Sequence, residues 1–266
     1  MITKKRHDLM LELIKKSKAV SIMDLANELG ISQVTVRRDI EYLEKSTNKI
    51  ARVRGGAEWK ENSSTSSNDY LNKRFYEQYE KNKEKKERIA KKAASLIQEK
   101  DNIIIDAGST MLQLARSINN TKKITAFLTA VNIAEELEHK DLVTKILMGG
   151  VFRSRTTTMI SSMIEQSLSN IYADKVFIGA SALSIQHGFS CNDILEADVK
   201  KTLLKSANEV FWLIDSSKFD NSASFQISEI QPQHTIITDD GLDSALIKEF
   251  GKKAKLIIVG KDESMQ

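Results

Sequence analysis

The chain has 266 residues, with 40 Lys+Arg against 36 Asp+Glu, one Pro and one Cys; 41% of residues are hydrophobic and 29% charged. At roughly 100 to 200 residues per domain this allows one large domain or two unequal ones, and the apolar fraction excludes a wholly disordered chain. No run approaches the ~18 apolar residues of a membrane span, the start Met1-Ile2-Thr3-Lys4-Lys5-Arg6 leads into no signal-peptide core, and the lone Cys191 leaves no internal disulfide. With His7, His139, His187 and His234 too scattered for a metal cluster, the reading is a soluble cytoplasmic protein with no membrane partner, metal or other cofactor.

The charge is unevenly divided. Residues 1–58 hold 12 Lys/Arg against 8 Asp/Glu, whereas residues 59–266 hold 28 of each. All the excess positive charge lies in the first fifth of the chain, as in a small polyanion-binding module attached to a neutral body.

In chain order, Leu9, Leu13 and Ile14 space a first helix ending near Lys16. Ser21 caps a second, with Asp24 three positions on as a short-armed capping box and Leu25, Ala26 and Leu29 as its buried stripe. Gly30 closes it as a left-handed turn residue. Ser32 caps a third helix that buries Val36, Ile40 and Leu43 and presents Val34, Arg38, Glu41 and Lys45 on the opposite face, flanked by Thr35 and Arg37. Lys49 to Arg54 alternate apolar and basic as a half-exposed strand does, before Gly55-Gly56. Three helices and a basic strand predict a winged helix-turn-helix over 1–58.

Residues 59–72 read as a flexible linker, since the Lys-Glu-Asn-Ser-Ser-Thr-Ser-Ser-Asn-Asp stretch at 60–69 has almost nothing to bury. From Lys73 to Lys100 we expect a long helix, solvated over Tyr76–Lys86 and docked through Ile89, Ala93, Leu96 and Ile97. The remainder, grouped as a 73–266 effector domain, alternates short apolar runs (Ile103–Ile105, Ile124–Leu128, Val143–Met148, Val176–Ile178, Val210–Ile214, Thr235–Ile237, Leu256–Val259) with helical spacing near 110–118, 131–138, 161–171, 194–207 and 243–250. That alternation predicts a doubly wound parallel α/β sheet.

Two motifs carry chemistry. In the helix-turn-helix, Ala26, Gly30, Ile31 and Val36 supply a small crossing residue, a left-handed turn and a locking contact. Ser32, Gln33 and Thr35 then enter the major groove first, Arg37 and Arg38 reach base edges or phosphates, and Arg52 and Arg54 on the wing suit phosphates or the minor groove. The bland alternative is a helical hairpin with solvated arginines. Second, Asp106-Ala107-Gly108-Ser109-Thr110 joins a strand to a helix as a phosphate cradle does, though a plain strand-to-helix turn looks similar. The loops Thr129–Asn132, Gly149-Gly150, Gly179–Ser181 and Asp215–Phe219 should gather with it at the carboxyl ends of the strands, with Lys218 supplying charge and Asp106 accepting sugar hydroxyls. Glu196 and Lys200 have the spacing of a solvated i, i+4 pair, and Thr156-Thr157-Thr158 reads as loop.

The chain resembles the DeoR family of transcriptional regulators. The resemblance rests on Arg6, Leu25-Ala26, Ile31-Ser32, Thr35–Asp39 and Arg52–Ala57, then on Lys86–Ala90, Asp106–Thr110, Gly149-Gly150, Ala173-Asp174, Gly188, Glu196, Lys200 and Asp215–Phe219. It implies a C-terminal domain similar to ribose-5-phosphate isomerase that senses a phosphorylated sugar or polyol. It also implies an oligomer, dimer or tetramer, on double-stranded operator DNA, and an effector pocket at or near Asp106, Gly108, Ser109, Thr110, Thr129, Gly149, Gly150, Glu196, Lys200 and Lys218. The sequence departs from the family where Ala130 replaces a common Asn and where Ser161 stands near a common Gly. The expectation is a repressor of a carbohydrate uptake or catabolic operon, with no catalytic residue. The alternatives are an isomerase-like enzyme fused to a DNA-binding head, or an activator.

Overall fold

A computed structural model describes residues 3–47, 49–53, 55–59, 75, 77–153, 156–160, 162–168 and 171–261. Arg54, the linker stretch 60–72 and Ser161 lie outside the described residues. The chain divides into two compact units, Met1–Asp69 and Tyr70–Gln266.

The first unit packs helices α1 (Thr3–Ser17), α2 (Ile22–Leu29) and α3 (Gln33–Thr47) with an antiparallel sheet of β1 (Ala19–Ser21), β2 (Ile50–Val53) and β3 (Gly56–Trp59), in the order β1-β3-β2. The Ser21 hydroxyl accepts from Asp24 N at 3.1 Å and donates to the Asp24 carboxylate at 2.7 Å, so the cap forms but its acid closes on the hydroxyl. Gly30 adopts φ 63°, and the turn it makes lets Ile31 N reach Ala26 O at 3.1 Å. Met10, Ile14, Leu25, Leu29, Val36, Ile40, Leu43, Ile50 and Ala57 form one core. Strand β1, too short to show an alternating pattern, presses so closely on β3 that a Cβ at Gly56 would lie 2.2 Å from Val20 O.

The second unit is built on a seven-stranded parallel sheet in the order β15-β14-β12-β9-β4-β5-β6. Its strands are β4 (Asn102–Ile105), β5 (Ile124–Leu128), β6 (Val143–Leu147), β9 (Ala173–Ile178), β12 (Ala207–Leu213), β14 (Thr235–Asp239) and β15 (Lys255–Val259). Every strand is bare of proline and rich in β-branched or aromatic residues, and both faces are covered. Ile103, Ile105, Phe177 and Leu213 face one core with α4 (Lys83–Ser95), α5 (Ser109–Ser117) and α6 (Val131–Glu136). Ile104, Val176, Ile178 and Trp212 face the other with α7 (Ser162–Leu168), α8 (Ile194–Lys205) and α9 (Ser244–Gly251). The chain runs outward through β4, β5 and β6, returns to β9 beside β4, and continues outward the other way. The strand order therefore reverses between β4 and β9, which opens a crevice at their carboxyl ends.

Three expectations need correction. Asn82 stands in the left-handed region at φ 56° and begins α4, so no single helix runs from 73 to 100. The Tyr76–Lys86 stretch is solvated only in part: Glu77, Gln78, Glu80, Lys81 and Glu84 are exposed, but Tyr79 and Lys86 are buried. Thr158 opens a strand: β7 (Val151–Arg153) and β8 (Thr158–Ile160) form a hairpin. A further small antiparallel sheet, β10 (Ala182–Ser184), β11 (Gly188–Cys191) and β13 (Phe225–Ser228), follows β9 and carried no alternation by which to find it.

Candidate functional site

On the first unit, α3 sits with one face in the core and the other in solvent. Ser32, Gln33, Arg37, Arg38 and Arg52 are exposed and Thr35 half-buried. The Ser32 hydroxyl accepts from Thr35 N at 3.3 Å and lies 2.9 Å from Thr35 Oγ1, so both hydroxyls are engaged in the cap. The Glu44 carboxylate accepts from Arg52 N at 2.8 Å and ties the wing to α3.

The rotation of α3 is fixed from the opposite flank. Arg6 Nε donates to Asp39 Oδ2 at 2.6 Å and Nη2 to Oδ1 at 3.1 Å, while His7 Nε2 lies 3.0 Å from Oδ1 and its ring stacks on Tyr42. Burial alone would raise the Asp39 carboxyl, but the Arg6 and His7 hydrogen bonds outweigh it and hold the group below the ordinary carboxylate range. A bidentate guanidinium–carboxylate pair is directional, so it holds the helix at one angle. Arg6 and Asp39 stand in the family pattern, but their pairing across 33 residues is a contact that sequence reasoning missed.

On the second unit the crevice at the β4/β9 switch holds a cavity of about 270 Å³. Gly108, Ser109, Thr110, Glu196, Lys200 and Lys218 are in its wall. Gly108 takes φ 134° before α5, and no side chain caps that helix. The first amides of α5 therefore have no intrahelical acceptor. Gly179–Ser181 after β9 and Leu213–Asp215 at the end of β12 complete the inner wall.

Asp106 lies behind the wall. One of its carboxylate oxygens accepts from Lys200 Nζ and, at 3.3 Å, from Gly179 N. Lys200 is 2% exposed, which overturns the solvated-pair expectation, and Glu196 Oε1 lies 3.6 Å from its ammonium. Burial opposes the Lys200 charge, but Asp106 and Glu196 outweigh it and raise the ammonium above the usual lysine range. Lys86 Nζ donates to the carbonyl oxygens of Gln78 and Lys81. Burial pushes it down to about 8, with Asp215 opposing and Lys218 and Lys81 adding to the shift.

Thr129, Gly149 and Gly150 are not in the wall. Ala130 bridges Thr158, Met159 N donates to Thr129 O at 2.8 Å, and Val131 N to Thr157 O at 3.1 Å, so the β7–β8 hairpin covers the end of β5 and brings its own Thr156, Thr158 and Arg153 to the cavity. Arg153 Nη1 donates to Asp193 Oδ2 at 2.6 Å, and Asp193 Oδ1 caps α8 by accepting from Glu196 N at 3.1 Å. Neither Arg153 nor Asp193 shows a sequence pattern that marks it. Ala130, wholly buried, begins α6 without a side-chain cap, and Thr129 Oγ1 and the Asn132 amide are buried without hydrogen-bond partners.

A family described as the DeoR-like helix-turn-helix domain matches residues 6–63, and one described as the DeoR C terminal sensor domain matches residues 81–240. The lactose phosphotransferase system repressor of Lactococcus lactis subsp. lactis is 30% identical over 97% of this chain and 99% of its own length. A putative aga operon transcriptional repressor of Escherichia coli O157:H7 is 27% identical over 97% and 95%. Among solved structures, ribose 5-phosphate isomerase A of Methanocaldococcus jannaschii aligns with 52% of this chain and 55% of its own, at 18% identity and a TM-score of 0.40. A helix-turn-helix with exposed arginines joined to an α/β sensor unit, matched along nearly its full length, places this chain in the DeoR family of DNA-binding transcriptional regulators.

Proposed function

We propose that this protein is a cytoplasmic repressor of a carbohydrate uptake or catabolic operon, released from double-stranded operator DNA by a phosphorylated sugar or polyol. The observation that carries the sensor half is the uncapped start of α5 at the cavity: free amides, the Ser109 and Thr110 hydroxyls and Lys218 together suit a phosphate. The rest of the wall is hydrogen-bonding side chains and apolar groups, which suits a polyhydroxylated body. The repressor half rests on the names of the relatives above. Ser32, Gln33, Thr35, Arg37 and Arg38 carry the DNA contact, with Arg52 and Arg54 at the backbone.

The acids around the cavity support sensing over turnover. Asp106 is tied to Lys200, Asp193 to Arg153, and Asp215 to Asn82, while Glu196 faces the Lys200 ammonium at 3.6 Å. A homodimer or tetramer would set two recognition helices roughly 34–36 Å apart. The cavity wall includes Phe75 and Gln78, which Lys86 holds through the Gln78 carbonyl, so effector binding would act on the chain segment that follows the DNA-binding unit in sequence. A coupling of about 1–3 kcal/mol would weaken the operator complex about 5- to 150-fold.

The test is binding of the full chain to its own upstream DNA at two salt concentrations, with and without a panel of sugar phosphates, and with R37A/R38A as control. Salt-sensitive binding that the double variant loses and one phosphosugar weakens is the expected result. Turnover of a phosphosugar would overturn the sensor reading, and loss of specific DNA binding would overturn the repressor.

A further inference from the structure

We infer that Val34 is a specificity-determining residue of the DNA-reading face, and that it packs against the C5-methyl group of a thymine in each operator half-site. This rests on the DNA-binding reading above and extends it to a base. At about 100° per residue, Val34 falls opposite the buried Val36, Ile40 and Leu43, on the same outward ridge as Arg38 and Glu41.

Val34 is 61% exposed in the first turn of α3, while the hydroxyls of Ser32 and Thr35 beside it are hydrogen-bonded to each other in the cap. A β-branched residue is a weak helix former, and an exposed one gains nothing from packing in the free protein. The first turn of a recognition helix is the part that meets base edges. Apolar contact there has one natural partner, because thymine alone of the four bases presents a methyl group in the major groove.

The Arg6–Asp39 pair and the His7–Tyr42 stack fix the rotation of α3, so Val34 and Arg38 point the same way by construction. Four residues of helix advance ~6 Å, and base pairs stack at about 3.4 Å. The thymine read by Val34 should therefore lie one or two base steps from the base that Arg38 contacts.

The experiment uses the full chain and a specific operator duplex in which each thymine is replaced singly by deoxyuridine. That replacement removes only the methyl group. Wild type, V34A and R38A are titrated against each duplex. The expected result is one thymine per half-site whose replacement weakens wild type about fourfold, the equivalent of ~0.8 kcal/mol for one methyl group. V34A should bind the unmodified duplex more weakly and be indifferent to that replacement, while R38A keeps its sensitivity. V34T, isosteric and keeping one of the two γ-methyls, should retain part of that sensitivity. Equal sensitivity of V34A and wild type at every thymine would overturn the assignment while leaving the DNA-binding reading intact. If wild type recognises no duplex specifically, both fall together. The side chain is exposed and Ala is the better helix former, so V34A keeps its fold.

Discussion

The two charged surfaces of this protein hold their cations in opposite ways. On α3, Arg37 and Arg38 stand in solvent, while the acid between them and the body, Asp39, is locked to Arg6. In the cavity, Lys200 and Arg153 are already paired with Asp106 and Asp193. A polyanion sheds counterions when cations arrive, so solvated arginines serve it. A single small anion is bound best by a wall that needs no rearrangement, and pairing already holds Lys200 and Arg153 in place.

This contrast is most directly broken at Lys200. K200M leaves the Asp106 carboxylate buried without a counter-charge, and should destabilise the second unit by ~3–5 kcal/mol in urea unfolding, while K200M/D106N should recover most of it. If K200M costs nothing, the pair does not build the wall. Next in size, R37A and R38A should each weaken specific DNA binding by about 1–3 kcal/mol and flatten its salt dependence. Thermal stability should stay within about 0.5 kcal/mol, since neither guanidinium packs against the core.

Much of this was written in the sequence wherever the determinant was local. Ser21, Gly30 and the Val36-Ile40-Leu43 stripe announce their helices because caps and faces depend on neighbours a few residues away, and each of the seven sheet strands shows as an apolar run. The cavity was half legible. Gly108–Thr110 and Lys218 lie where a strand meets a helix or turn, which the alternation places. Lys200 was misread because an i, i+4 glutamate makes it look solvated, and only Asp106, 94 residues away, explains its depth. The hairpin that excludes Thr129 from the wall and brings in Arg153 has three-residue strands, too short for a period to appear.

Two smaller tests use pH. The folded Asp39 carboxyl titrates below its unfolded value of about 3.9, so its contribution is complete above that value and is lost as pH falls through the folded one. D39N should cost about 1.5 kcal/mol at neutral pH and flatten the acid limb of stability in the first unit. Lys86 gives a slope of the same sign from the opposite cause, because burial favours its neutral form rather than its charged one. Its folded value, about 8, lies below the unfolded ~10.4, so the unfolded chain binds more protons between them and stability rises with pH in that window. The slope is at most ~1.4 kcal/mol per pH unit, and K86M should remove it in urea unfolding at pH 7.5 and 9.5.

The Asp106–Lys200 pair also sets a timetable. The helix-turn-helix core draws on residues 9 to 59 and is complete early in synthesis. The cavity waits for a lysine 94 residues beyond its aspartate, which at roughly 5–20 residues per second means a lag of roughly 5–20 s. A chain interrupted in that interval has its DNA-reading module and no sensor, so a nonsense codon between Asp106 and Lys200 leaves a product without the means to hear an effector.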